Sequence, residues 1–371
     1  MEYSAQTDRH YYHLYSFIDR LAEHLDLRLI ISRTLGHPQF NHVTDIKSRP
    51  QKKFNRLWLF NEIWRAYRQG YRLFYCHYTF GAAVFTSLLT RFFGGKTYFW
   101  YCIMLDVLLR EHNVSLYSPG ILIFRLGSRI IDTFITGSEF MKDYYQQKFN
   151  IARHKIIVLP NYIDVSRFTP RPEEKKTYRK QLSLPAQTLI VLFVHGMEKG
   201  KGGAQLVPIA RSVVKQVPNM LFLVVGDGSE KPEIEREIQH HGLTDHFRLL
   251  GRIPNTDIPD YYKAADVFIM PSLYEEFSRT LLEAMAAGVP FVATDGRGGT
   301  YSYTSSLQHE FVVASHDVEG FAQKLITLLQ DENLRKKMSV AGQQQVENFS
   351  EQTVLNKFLE QLVYSQKKTR I

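Results

Sequence analysis

The chain has 371 residues, 44% of them apolar and 22% charged, with a formal net charge of +9; that length exceeds one hydrophobic core and points to two domains of roughly 150 to 200 residues. The balance of apolar to charged residues excludes extensive disorder and collagen-like order. Only Cys76 and Cys102 are available for disulfides and no basic, apolar leader opens the chain, which fits a reducing cytoplasm better than secretion.

In chain order, the first pattern is helical, "YYHLYSFIDRLAEHLD". A doubly wound domain ordinarily opens on a strand, so the first strand is expected to be missing or to lie outside this sequence. "LRLIIS" follows as a buried strand. The charge is uneven: residues 1–170 hold 22 Lys or Arg against 13 Asp or Glu, so the second half is neutral. Much of the excess lies in residues 47–72, where Lys47, Arg49, Lys52, Lys53, Arg56, Arg65, Arg68 and Arg72 face a single acid, Glu62, and interleave with Phe54, Trp58, Phe60, Trp64, Tyr67 and Tyr71. Such a mixture suits an anionic membrane surface. An amphipathic helix whose rings enter the core is the other reading; nucleic acid lacks any supporting module. The charge-free run from Cys76 to Thr90 is closed by Arg91 and is shorter than the roughly 18 to 20 apolar residues of a membrane span.

Apolar and β-branched runs alternate with helical patterns throughout, which predicts doubly wound α/β architecture with parallel sheets. "RLFYCHY", "KTYFWYC", "DTFITGS" and "KIIVLPN" complete a first domain over residues 1–168. His77 ends one of these strands, the favoured place for a substrate contact, although a lone His there is more often structural. The charged stretch "TPRPEEKKTYRKQLSLPAQT", with three prolines and no apolar period, reads as a linker over 169–187. A second domain over 188–349 carries "LIVLFVHG", "LFLVVGDG", "FRLLG", "DVFIMPS" and "PFVATD". Ser350 is a plausible N-cap for a terminal helix within 350–371, expected to pack back toward the first domain.

The most informative segment is "DVFIMPSLYEEFSRTLLEAMAAGVPFVATD": a strand, a loop, a helix and another strand. Its helix should start near Phe277 or Ser278 and stop before Gly288 and Pro290. The N–H groups and positive end of that helix then face Glu275 and Glu276, a seat for phosphate. Glu275 falls in the loop and Glu283 in the second helical turn, so two carboxylates stand ready to accept from hydroxyls of a sugar and a ribose on either side of a diphosphate. The plainer alternative pairs Glu283 with Arg279 on the surface and leaves Glu275 exposed. "VHGMEKGKGG", with Lys199 and Lys201, is a second phosphate candidate or an ordinary loop. It matches neither the Walker pattern nor the dinucleotide fingerprint. "VVGDGSEKPEI" is a third, where Gly226 and Gly228 permit close approach and Asp227 can accept hydrogen bonds. No spacing resembles a metal site or a nucleophile motif.

Taken in order, these segments resemble the retaining GT-B glycosyltransferases of family 4, also called glycosyl transferases group 1, continuously from about residue 130 to 350. The family's E-x7-E signature is matched by Glu275 and Glu283 within "EEFSRTLLEAMAAGVP". The resemblance implies two Rossmann-like domains facing a cleft, the first for acceptor and the second for a nucleotide sugar. It gives Glu275 the donor-sugar hydroxyls, Glu283 the ribose, and Lys201 with Gly202 the leaving diphosphate, making Glu275 and Lys201 the catalytic pair. Glu276, Phe277 and Ser278 match the turn whose backbone N–H groups meet the diphosphate. Gly226, Asp227, Arg252 and Ile253 match the surroundings of the base. "LPNYIDVSRF" resembles the domain-ending N-G-I-D-x-x-x-F through Asn161, Asp164 and Phe168. Three departures stand out. Gly196 replaces the family's second diphosphate-binding cation, and Arg279 is the candidate substitute. The Gly-rich loop after the first strand has no counterpart. Ser278 and Glu276 replace the glycines of the E-G-F-G turn.

The implied activity is transfer of a hexose from a nucleotide diphosphate sugar to a glycan or lipid-linked acceptor, with retention and without a metal or cofactor. The implied location is the cytoplasm, peripheral to the inner face of the membrane. A catalytically silent scaffold, or an epimerase or phosphorylase on the same fold, is the alternative.

Overall fold

A computed structural model describes residues 2–4, 12–31, 33–35, 39–49, 57–105, 119–170, 174–296 and 299–364. Two compact units are formed, Met1–Pro160 and Asn161–Ile371.

In the first unit, β1 (Glu2–Ser4), β2 (Arg28–Ile31), β3 (Arg33–Leu35) and β4 (Asp45–Ser48) form two parallel pairs, β1 with β3 and β2 with β4. The strand expected to be missing is therefore present: β1 precedes the helix Tyr12–Ala22. Its sequence, EYS, is too short and polar to stand out as an apolar run. β5 (Leu73–His77), β6 (Lys96–Trp100), β7 (Thr133–Thr136) and β8 (Ile156–Val158) form a four-stranded parallel sheet in that order. All four residues of β7 are buried, as befits a parallel strand covered on both faces.

Helices Trp58–Arg68, Phe80–Phe93 and Pro119–Ile130 lie side by side. Phe60 meets Phe85 edge-on with ring centroids 4.9 Å apart, Trp64 meets Phe93 at 6.1 Å, and Phe80 stacks on Phe124 at 5.0 Å. Gly127 leaves no room for a Cβ against the Phe80 ring. Trp58 and Tyr67 are buried, and so is Glu62, paired with Arg65 at 2.6 Å. The rings of the basic, aromatic stretch thus turn largely inward, and the membrane-facing surface expected from 47–72 is not built from them; Trp64 alone of the helix's larger rings is exposed. Lys52, Lys53, Phe54 and Arg56 lie outside the described residues.

The second unit holds β9 (Leu189–Val194), β10 (Met220–Val225), β11 (Phe247–Gly251), β12 (Val267–Met270), β13 (Phe291–Thr294) and β14 (Val312–Val313), all parallel, in the order β11-β10-β9-β12-β13-β14. Alternate residues feed two cores, Ile190 and Leu192 on one face, Val191 and Phe193 on the other, which is the two-residue period of a strand covered on both sides. The order reverses between β9 and β12.

Two sequence expectations change here. The predicted linker contains a helix, Glu174–Gln181, docked on this unit, with residues 171–173 outside the description. Arg179 is buried, donating to the carbonyls of Ala264, Ala186 and Thr188 and pairing with Asp266, which also accepts from Lys175 and from the Ile190 N–H at 2.6 Å each. Charge rather than apolar period anchors this helix, which is why it reads as linker. Residues 161–168 also pack with the second unit: the Ile163 N–H donates to Phe349 O (3.1 Å) and the Glu351 N–H to Ile163 O (2.9 Å). Ser350 caps the helix Glu351–Phe358, which belongs to the same unit. No described helix is long and apolar enough to cross a membrane.

Candidate active site

The predicted donor-side residues gather at the carboxyl ends of β9, β10, β12 and β13, where the strand order reverses and open α/β sheets bind ligands. Two glycines bring the loops there into backbone contact. Gly226 has φ +143°, and a Cβ would overlap the His195 carbonyl oxygen; Gly202 has φ +91°, with the Pro271 carbonyl where a Cβ would go. Hydrogen bonds from the Met197 N–H to Asp227 O (3.0 Å) and from the Leu273 N–H to Gly200 O (2.9 Å) hold the loops together. Ser272 Oγ donates to Lys201 O at 3.3 Å.

Glu275 is buried in this nest, with Gly296 and Gly299 packed so closely that neither has space for a Cβ. Its Oε2 lies 3.8 Å from His195 Nε2. Burial pushes its carboxyl up, but His195, the Lys201 charge and the Phe277 N–H together outweigh burial and hold it below the usual glutamate range. The result is a buried, ionised carboxylate whose Oε2 has no hydrogen-bond donor among the described residues. A buried polar atom left open in this way has room for a hydrogen bond from a water, an ion or a ligand.

The helix after the loop runs Arg279–Ala286, with Ser278 Oγ accepting from the Leu281 N–H at 3.3 Å. The Phe277 N–H acts on the Glu275 carboxylate, and the Ser278 N–H donates to Tyr303 Oη at 3.1 Å. The two amides assigned to the diphosphate are thus engaged within the protein, because Glu275 turns back over its own loop and the buried Tyr303 reaches the helix cap. Glu276 and Arg279 are half-buried beside them. Asn161 Nδ2 donates to Phe277 O at 3.3 Å and fixes the loop from the other side.

Glu283 does not form the surface pair with Arg279. It is half-buried, and burial pushes its carboxyl up to about 7 against the opposing influence of the Tyr262 hydroxyl and the charges of Arg279 and Arg167. Gly196 and Asp227 are exposed at the ends of β9 and β10, and Asp227 Oδ1 accepts from the Gly228 N–H at 2.9 Å. Arg252, exposed, and Ile253, half-buried, follow β11, which is tied to Gly226 by its N–H to Gly251 O at 2.8 Å. His77 belongs to the first unit, at the end of β5, stacked on Trp100 at 5.9 Å and edge-on to Tyr78 at 4.8 Å.

Sequence reasoning missed His195, Arg167, Tyr262 and Tyr303. His195 follows the apolar run of β9 directly, a readable signal. Tyr303 lies twenty residues beyond Glu283 with nothing in its neighbourhood to mark it.

The family model for glycosyl transferases group 1 matches residues 174–345. Among curated relatives, the 2-deoxystreptamine glucosyltransferase of Streptomyces kanamyceticus is 33% identical over 181 residues, covering 48% of this chain and 46% of that protein. The UDP-Gal:alpha-D-GlcNAc-diphosphoundecaprenol alpha-1,3-galactosyltransferase of Escherichia coli is 27% identical over 185 residues, covering 48% and 46%. The chain spans about half the length of the curated relatives it matches. Among solved structures, Anabaena HepE in complex with UDP and glucose superposes with a TM-score of 0.74 at 20% identity, covering 98% of this chain and 99% of that one. The fold is therefore the two-domain GT-B architecture, and residues 174–345, which carry the loops described above, are similar to the glycosyl transferases group 1 family.

Proposed function

We propose that this chain transfers a hexose from a nucleotide diphosphate sugar to a hydroxyl of a glycan or lipid-linked acceptor, with retention of anomeric configuration. The observation that carries the reading is the buried, ionised Glu275 with an open Oε2, set between His195 and the Lys201 loop.

In this reading Glu275 accepts hydrogen bonds from donor-sugar hydroxyls and orients the anomeric carbon. The Lys201 ammonium and the start of the helix Arg279–Ala286 meet the charge that develops on the leaving diphosphate, a stabilisation of about 3 to 4 kcal/mol per well-placed donor. Glu283 takes the ribose, and Arg279 supplies the cation absent at Gly196. The acceptor hydroxyl enters on the face the diphosphate leaves, its proton passing to the departing phosphate oxygen. No metal, cofactor or covalent sugar intermediate is required. The acceptor end of the reaction belongs at the cytoplasmic face of a membrane, in keeping with the lipid-linked substrate in the name of the Escherichia coli relative.

A second reading, a catalytically silent scaffold, is favoured by one observation: the amides of Phe277 and Ser278 are already engaged. Incubation with UDP-, GDP- and ADP-sugars, following release of nucleotide diphosphate, separates the two. Transfer predicts release by the wild type from one donor class and its loss in Glu275→Ala. No release from any donor leaves the scaffold.

A further inference from the structure

Two buried polar atoms at the site have no hydrogen-bond partner among the described residues, Glu275 Oε2 and His195 Nδ1. The other ring nitrogen, His195 Nε2, stands 3.8 Å from that same Oε2. This separation is too long for a hydrogen bond, yet one oxygen set beside the line joining the two atoms can lie about 2.8 Å from each. The His195 side chain keeps 22% of its surface exposed, so the gap is reachable from solvent.

The backbone on both sides of the gap is held in place. The His195 N–H donates to Val225 O (3.1 Å) and the Met197 N–H to Asp227 O (3.0 Å), and Gly226 lies against the His195 carbonyl with no space for a Cβ. Across the gap, Gly296 and Gly299 enclose the Glu275 backbone just as closely.

The two atoms also give the gap a direction. A buried N–H without an acceptor is costlier than a bare ring nitrogen. The neutral imidazole therefore carries its proton on Nε2 and points a donor into the gap. Glu275, ionised, points only an acceptor. A group between them must accept on one side and donate on the other through a single atom. A hydroxyl does both; a carbonyl or ether oxygen would set lone pairs against the carboxylate, and an ammonium has nothing to accept with.

We propose that His195 is a specificity-determining residue for the donor: one hydroxyl of the hexose sits between His195 Nε2 and Glu275 Oε2, accepting from the ring and donating to the carboxylate. The chain then selects donors that bear a hydroxyl at that carbon. This rests on the transfer reading, which gives Glu275 the sugar, and adds the second partner and the direction of both hydrogen bonds.

The test is calorimetric titration of the full chain with the UDP-, GDP- or ADP-hexose from which the wild type releases nucleotide, and with its monodeoxy and deoxyfluoro analogues, one for each sugar hydroxyl. Wild type, His195→Phe and His195→Gln are compared. At one carbon the deoxy analogue should bind the wild type about tenfold or more weakly than the parent. The fluoro analogue should bind no better, because fluorine cannot donate to Glu275. In His195→Phe the penalty at that carbon alone should shrink about fivefold, and His195→Gln, whose amide still donates, should keep more of it. Melting temperatures check that the variants fold; if His195→Phe does not, a penalty in His195→Gln below the wild-type value at that carbon alone supports the proposal. The same penalty in every variant, a uniform loss of affinity for parent and all analogues, or a fluoro analogue that binds like the parent overturns it. Nucleotide release with no selective carbon overturns the proposal alone and leaves only water in the gap, whereas neither binding nor release with any donor removes the transfer reading and the proposal with it.

Discussion

His195 Nε2 stands 3.8 Å from Glu275 Oε2 at the reversal point of the second sheet, a basic ring at the end of β9 facing a buried acid carried by the loop after β12. Together with Lys201 it keeps that acid ionised despite burial. Replacing His195 by Phe removes part of that support, so the carboxyl should protonate at higher pH. The acid limb of the kcat profile should then move upward, while Glu275→Gln should lower kcat by about 10²- to 10³-fold at every pH. A pH–rate series on both variants checks this.

Glu283 titrates near pH 7. As a hydroxyl acceptor it works best ionised, so donor KM should rise as pH falls from 8 to 6, and Glu283→Gln should show a high KM without that slope. Stability runs the other way. A carboxyl whose folded pKa lies above its unfolded value of about 4.3 contributes stability below that range and loses it as pH rises through about 7. Glu283→Gln should therefore melt higher than the wild type at pH 8, a gain that vanishes near pH 5 in thermal denaturation.

Arg279→Glu should raise the donor KM about tenfold or more, since charge-assisted contacts to phosphate are among the stronger hydrogen bonds. Unchanged donor kinetics would leave Lys201 as the cation serving the diphosphate.

Tyr303→Phe removes the acceptor of the buried Ser278 N–H. Leaving such a donor unsatisfied costs about 1 to 3 kcal/mol, so the ligand-free variant should melt lower. The freed amide then faces the diphosphate, and saturating nucleotide diphosphate should raise the melting temperature of the variant more than that of the wild type. Equal gains would show that this amide lies off the diphosphate's path.

Asp266 tests the opposite end of the sheet, where it joins Lys175, Arg179 and the Ile190 N–H. Removing one partner of such a buried pair is worth about 3 to 5 kcal/mol, so Asp266→Asn should unfold at lower denaturant without changing donor KM. Burial pushes this carboxyl up, but its cationic partners prevail and hold it below the usual range. Its contribution is present above the ordinary aspartate range and lost as pH falls through the lowered value.

The central strands were legible because a parallel strand covered on both faces must be apolar throughout, as Val191, Leu192 and Phe193 are. Residues 2–4 and 174–181 escaped notice for the converse reason: a three-residue polar pairing and an ion-paired helix leave no apolar period to read. At the site, Glu275, Glu283 and Lys201 were singled out by the family resemblance, spacing alone leaving a surface pair and an ordinary loop open. Tyr303, Arg167 and the loss of the Phe277 and Ser278 amides were not, because each depends on chain segments far apart in sequence meeting in space.

The bonds from Ile163 to Phe349 and from Glu351 back to Ile163 close the second unit on itself: the strand of chain entering it is knotted to the turn that precedes its last helix. Fraying at that entrance must first undo this clasp, and with it goes Asn161, the prop beneath Phe277. Amide exchange at Ile163 and Glu351 should consequently slow in step when nucleotide diphosphate fills the proposed site beside Phe277, which makes these two amides reporters of occupancy.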